Sequence, residues 1–136
     1  MRFLDTNVII RLLTRDDQVK AEASLELFKR IGQGVEEVQI CESMVAEIAY
    51  VLSSRALYNL DHSEIRDRLA PLLGLRGLRV PNKTIVLRAL DLYAEHSVLD
   101  FEDALAVSYM EAQRIEEIYS YDHDFDRVQS ITRVEP

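Results

Sequence analysis

The sequence predicts an α/β protein, a parallel sheet of about five short strands with helices on both faces. Three observations carry that expectation. Short, largely apolar runs at Met1–Leu4, Val38–Cys41, Leu78–Val80, Ile118–Ser120 and Ile131–Val134 alternate with longer stretches whose apolar residues recur at helical spacing. Such alternation is the pattern of strands joined through helices and buried on both faces. The chain is 136 residues long and 48% hydrophobic, enough for one domain with a real core, and its four Gly and three Pro leave little room for linkers. No internal repeat, low-complexity stretch or domain boundary interrupts residues 1–136.

Taken in order, Met1–Leu4 is long enough only for a short strand. Val8, Ile9, Leu12 and Leu13 then mark a first helix over roughly 7–15. Val19, Ala23, Leu27, Phe28 and Ile31 mark a second, stopped by Gly32-Gln33-Gly34. After the strand at Val38–Cys41, Ser43 is placed to cap a third helix whose core face is Val45, Ile48, Ala49 and Leu52. Asp61 and Glu64 form a capping box for a fourth helix burying Ile65, Leu69 and Leu72. Gly74–Gly77 turns into Leu78–Val80, which Pro81 closes, and Ile85, Val86, Ala89, Leu90 and Tyr93 build a fifth helix. Asp100 caps a sixth, apolar nearly all round from Ala104 to Met110 with Ser108 the exception. Ile118–Ser120 is the fourth strand, Asp122–Arg127 a short helical turn and Ile131–Val134 the fifth strand.

Bulk composition excludes little. No run approaches the ~18 apolar residues of a membrane span, and no signal-peptide pattern opens the chain. A lone Cys41 rules out an internal disulfide framework and suits a reducing, cytoplasmic setting; by itself it reads as a small buried hydrophobe. The net charge of −8 runs against general nucleic-acid binding. Two divalent cations would halve that charge to −4, all of it at one place, so net charge does not decide the matter.

Most acids, among them Glu22, Glu26, Glu36, Glu37, Glu111, Glu116 and Glu117, read as solvated faces or caps. Four differ because each adjoins the carboxyl end of an expected strand or the start of a helix, the edge where α/β sheets bind ligands. Asp5 ends the first strand; alone it could be an ordinary helix cap. Glu47 lies early in the third helix amid Val45, Ala46, Ile48 and Ala49, where it could simply favour the positive helix end. Asp103 opens the most apolar helix, so its carboxylate is partly buried and needs a partner; a capping box with Asp100 is the plainer alternative. Asp122 directly follows the fourth strand and could be a turn residue. Together these four would repel one another unless cations were present. Oxygen ligands without His point to Mg²⁺ or Mn²⁺ rather than zinc. His62, His96 and His123 show no metal-ligand spacing, and Arg11, Arg15 and Arg55 read as ordinary surface arginines before RNA or partner contacts.

With these residues in place, the sequence resembles the PIN-domain family, most closely the small single-domain toxins of bacterial and archaeal VapBC toxin–antitoxin pairs. The resemblance spans essentially the whole chain. It is carried by Leu4-Asp5-Thr6-Asn7-Val8, by Ser43-Met44-Val45-Ala46-Glu47-Ile48, by Phe101-Glu102-Asp103-Ala104-Leu105-Ala106 and by Ser120-Tyr121-Asp122-His123-Asp124-Phe125. It implies a three-layer α/β/α sandwich in which Asp5, Glu47, Asp103 and Asp122 bind metal. Thr6, Asn7 and Ser120 would assist by hydrogen bonding, and Asp124 matches an acid that sometimes joins the set. It implies a ribonuclease using Mg²⁺ or Mn²⁺ to activate water and to stabilise charge growing on the phosphate, leaving a 3′-hydroxyl and a 5′-phosphate. Expected partners are an RNA substrate (transfer or ribosomal RNA loops), a cognate antitoxin whose Arg-bearing tail neutralises the acidic pocket, and a second copy in a homodimer. Two departures stand out. Asp100 adds an acid beside Asp103, and the turn at Arg114–Glu117 lacks the glycine often found there.

Rival readings fit less well. A receiver-like Mg²⁺-binding signalling module needs paired acids after the first strand and an acceptor Asp after the third, where this chain has one Asp and then Val80-Pro81-Asn82. A phosphatase with an Asp-x-Asp start meets Asn7 at the second position. A PIN fold that only binds, without catalysis, runs against the intact acidic set.

Overall fold

Backbone hydrogen bonds organise the strands into two parallel groups. In the computed structural model, which describes residues 1–136, β1 (Arg2–Phe3), β2 (Val38–Gln39) and β3 (Leu78–Arg79) pair in that order. Arg2 lies opposite Val38, and Val38 opposite Leu78. β4 (Glu117–Tyr119) and β5 (Thr132–Val134) make the second group, with Glu117 opposite Thr132. All five expected strands are thus present and parallel, but the expected single sheet is divided, because no ladder joins β1 to β4. The reason lies in β4 itself. Glu117 is exposed and Tyr119 is 77% exposed, so this strand lacks the two apolar faces of a central position.

Six helices connect and cover the strands: α1 (Thr6–Thr14), α2 (Gln18–Gln33), α3 (Glu42–Ser53), α4 (His62–Leu73), α5 (Lys83–Glu95) and α6 (Phe101–Gln113). A 3₁₀ turn spans His123–Arg127. β1 feeds α1, β2 feeds α3, β3 feeds α5 and β4 feeds the 3₁₀ turn, so the carboxyl end of each of these strands opens onto a helical N-terminus. Asp5, Asp17, Asp61, Asp100 and Asp122 cap their helices by accepting backbone N–H groups. Glu64 completes only half of the expected box: its backbone N–H bonds Asp61 at 2.8 Å, while its carboxylate takes Arg68. No helix is long and apolar enough to cross a membrane.

Several expected positions shift. Cys41, not Ser43, is the cap residue of α3 and makes no side-chain cap bond; Ser43 lies in the first turn with its hydroxyl 3.1 Å from the Cys41 thiol. That contact leaves Cys41 half-buried rather than inside the core. On α2 the buried stripe is Ala21, Ser24, Phe28 and Ile31, whereas Val19 is 78% exposed and Ala23 also faces out. A strict four-residue repeat drifts by about 40° per step around a 3.6-residue helix, so Val19 and Ile31 cannot share a face. On α4, Leu73 rather than Leu72 is buried with Ile65 and Leu69, and on α5 Ile85 is only half-buried.

The core is continuous, running from Leu4, Ile40 and Val80 at the strand ends to Ile48, Leu90, Phe101 and Val107 on the helices. Ser108, the polar break in the apolar run of α6, is 1% exposed and donates its hydroxyl to the Ile85 carbonyl at 2.7 Å. A buried hydroxyl is tolerated when so bonded, and the bond keys α6 to α5. Three left-handed residues close helices: Arg15 ends α1 at φ 55°, Gly34 ends α2 at φ 76° and Arg114 ends α6 at φ 57°. Gly77 is required for space instead. A Cβ there would lie 2.2 Å from the Glu36 carbonyl oxygen and 2.7 Å from that of Ile31. Gly77→Ala should therefore destabilise the chain by about 2–3 kcal/mol, read as a lower urea midpoint with an unchanged slope.

Candidate metal centre

The candidate acids are carried by four separate stretches of the chain: the end of β1, α3, the start of α6 and the end of β4. Asp5 follows β1 and is exposed; its Oδ2 accepts the Asn7 N–H at 3.4 Å, a long bond that holds it weakly. Thr6, the first residue of α1, is 4% exposed, whereas Asn7 faces solvent. Glu47 stands exposed on α3 between the buried Ala46 and Ile48. Asp103 is half-buried in the first turn of α6, its N–H bonded to Asp100 at 2.8 Å. Asp122 is exposed after β4; the Ser120 hydroxyl accepts its N–H at 2.9 Å, and its own Oδ1 accepts the Asp124 N–H at 2.9 Å. Asp5, Asp100 and Asp122 thus fulfil the plain capping role. Capping accounts for one lone pair each and leaves their charge unmatched.

Ion pairing alone does not single these acids out, since half of the chain's 24 acids, Glu22, Glu42 and Asp61 among them, have no basic partner. Fourteen ion pairs bind acids such as Asp16, Glu36, Asp91, Glu111 and Asp126 to Arg, Lys or His. None of them includes Asp5, Glu47, Asp100, Asp103, Asp122 or Asp124. Burial first, then the like charge of Asp100 and that of Asp122, pushes the Asp103 carboxyl up to about 6. Asp103 is therefore the acid that sits inside the others' field, while Asp100 serves as cap.

The donor set suits a hard cation, being carboxylates with the hydroxyls of Thr6 and Ser120 nearby in sequence and no His or thiol among them. As placed, no three His, Cys, Asp or Glu side chains stand close enough to grip one ion. Each of the capping carboxylates is instead turned toward backbone N–H groups. The raised Asp103 pKa reflects burial first and then the like charge of Asp100 and Asp122. Chemistry and electrostatics fit a divalent ion; the side chains are not preassembled around one.

The decisive comparison concerns the whole chain. A sequence model of the PIN domain matches residues 2–131. The chain belongs to the PIN-domain family. PIN domains are typically nucleases that use divalent metal ions, and they often occur in toxin–antitoxin systems. Membership makes this chain a nuclease-type domain acting on nucleic acid, with the expected α/β architecture. No curated protein matches the chain.

The raised Asp103 pKa has a signed consequence. Its folded-state value, about 6, exceeds the ordinary 3.8. The folded chain then holds that proton more firmly than the unfolded one, and this stabilisation is lost as pH rises from about 4 through 6. Asp103→Asn imitates the protonated group. Without divalent ions, it should melt higher than the parent at pH 7, with the difference closing near pH 4; thermal scans at both pH values check this.

Proposed function

We propose that this PIN domain is a metal-dependent endoribonuclease and the toxin of a type II toxin–antitoxin pair. What supports the reading is the family match over residues 2–131, together with carboxylates at Asp5, Glu47, Asp103 and Asp122 that have no basic partner. Asp5 and Asp103 are assigned as principal ligands of Mg²⁺ or Mn²⁺, with Glu47 and Asp122 completing the set. Bound there, the ions supply water activation and neutralise charge on the scissile phosphate. The chain's own residues do the rest. Thr6 and Asn7 are assigned to assist beside Asp5 by hydrogen bonding, Ser120 accepts the Asp122 N–H, and Asp124 stands by as a further acid. Asp103, half-buried and within the field of Asp100 and Asp122, has most to gain from a cation.

The toxin role follows from the closeness of the motifs to those of single-domain toxins. An antitoxin tail bearing Arg would match the bare carboxylates, since guanidinium pairs bidentately with them. A homodimer and a structured RNA, with transfer or ribosomal RNA loops foremost, belong to the same reading.

Purified protein should cleave structured RNA with Mg²⁺ or Mn²⁺ and stop with chelator. Removing a group aimed at transition-state charge slows enzymes by about 10²–10³-fold, and Asp5→Asn and Asp103→Asn should each lose at least that much while still folding by circular dichroism. Parental rates in both variants would refute the site. Co-purification with, and inhibition by, the product of a small adjacent reading frame tests the toxin assignment separately.

A further inference from the structure

A pocket of about 270 Å³ opens between α3 and the start of α6. Its floor is the Tyr93 ring, 2% exposed and held rigidly: His62 stacks on it at 3.7 Å and Phe101 meets it edge-on at 6.1 Å. His62 is itself fixed by a bond between its Nδ1 and the Tyr93 carbonyl at 2.9 Å. Tyr50 stands over the mouth, 72% exposed, with no bond to its hydroxyl. The carboxylates of Asp100 and Glu102 and the Ser53 hydroxyl supply the polar wall.

The pocket's place relative to the acids matters most. Ala46, Tyr50 and Ser53 line it at helical spacing along α3, and Glu47 is three residues before Tyr50, so Glu47 and Tyr50 share a face. On the opposite wall Asp100 lines the pocket while accepting the Asp103 N–H. A chain whose phosphate lies against Glu47 and Asp103 thus has this pocket beside it, one helical turn along α3 and across the cap of α6. The site is small for a drug-sized ligand, whose pockets run from about 300 to 1,000 Å³, and suits one flat group.

We propose that this pocket is a nucleobase subsite: Tyr50 stacks an unpaired base next to the scissile phosphate, and Asp100 and Glu102 accept its N–H donors. Proteins read RNA sequence chiefly on unpaired, splayed-out bases, which stack on aromatic rings and bond through their edges. A wall of carboxylates favours guanine, whose adjacent ring N–H and amino group match the two oxygens of one carboxylate. It disfavours uracil, which presents carbonyl oxygens on either side of a single N–H. The subsite rests on the ribonuclease reading above. It adds to that reading a substrate class, RNA with an unpaired purine at the cleavage position, and a specificity residue outside the acidic set.

The test compares the parent with Tyr50→Ala, Tyr50→Phe and Glu102→Gln on hairpin RNAs differing only in one loop base, with Mg²⁺. Base stacking loses about tenfold to hundredfold in affinity when its aromatic is removed. Tyr50→Ala should raise KM by at least tenfold with kcat within twofold, Tyr50→Phe should behave as the parent, and Glu102→Gln should reduce the preference for guanine over uracil. Parental KM in Tyr50→Ala overturns the subsite while leaving the ribonuclease reading in place. So does a Tyr50→Ala chain whose sedimentation shows a changed oligomeric state, which would make the ring an interface residue. A folded parent that cleaves none of the hairpins brings down the ribonuclease reading, and the subsite with it.

Discussion

Parallel strand pairing is the constraint on which the rest depends. Parallel pairing sends every strand's carboxyl end the same way, so whatever follows β1 and β2 arrives on one side. Here that means Asp5 and the start of α3, while Asp103 opens α6 within the field of Asp100 and Asp122. Half of the chain's acids are held in ion pairs such as Arg88–Glu111 and Arg133–Asp126; Asp5, Glu47, Asp103 and Asp122 belong to the half that are not. The like charge acting on Asp103 opposes folding, and acids perturbed in this way concentrate at functional sites.

Helix capping makes the arrangement tolerable. Asp5, Asp100 and Asp122 each accept a backbone N–H at a positive helical end, which offsets part of their charge. The plain and the functional readings of these residues are therefore complementary: the same carboxylate closes a helix with one oxygen and keeps its charge. Asp103 is different. It lies in the first turn, half-buried, with Asp100 and Asp122 both acting on it, and its proton is correspondingly hard to remove.

Much of this was legible before any coordinates. Helical periodicity located all six helices, and caps such as Asp61 and Asp100 marked their starts within a residue. The places of Asp5 after β1 and Asp122 after β4 were legible because strand-end positions follow from chain order alone. What sequence could not convey was lateral. The strands are two or three residues long, too short for composition to say which pair, so the break between β1 and β4 was invisible. The face of α2 differs from its apolar repeat because Val19 and Ala23 are apolar yet wind away from the core, while Leu27 packs only at its margin. The pocket beside α3 depends on Tyr93, Tyr50 and Asp100 meeting across three elements, which no spacing encodes.

The divided sheet has a mechanical consequence. Asp5 and Glu47 are carried by the three-stranded part, Asp122 by the two-stranded part, and no backbone ladder crosses between them. Phe125, Val128 and Ile131 anchor the second part in the shared core, while Arg133, bonded to the Ser120 carbonyl and to Asp126, braces that part internally. The separation of Asp5 from Asp122 is thus set by how side chains fill the core, whereas the strands leading into Asp5 and into the helix of Glu47 are tied by a backbone ladder.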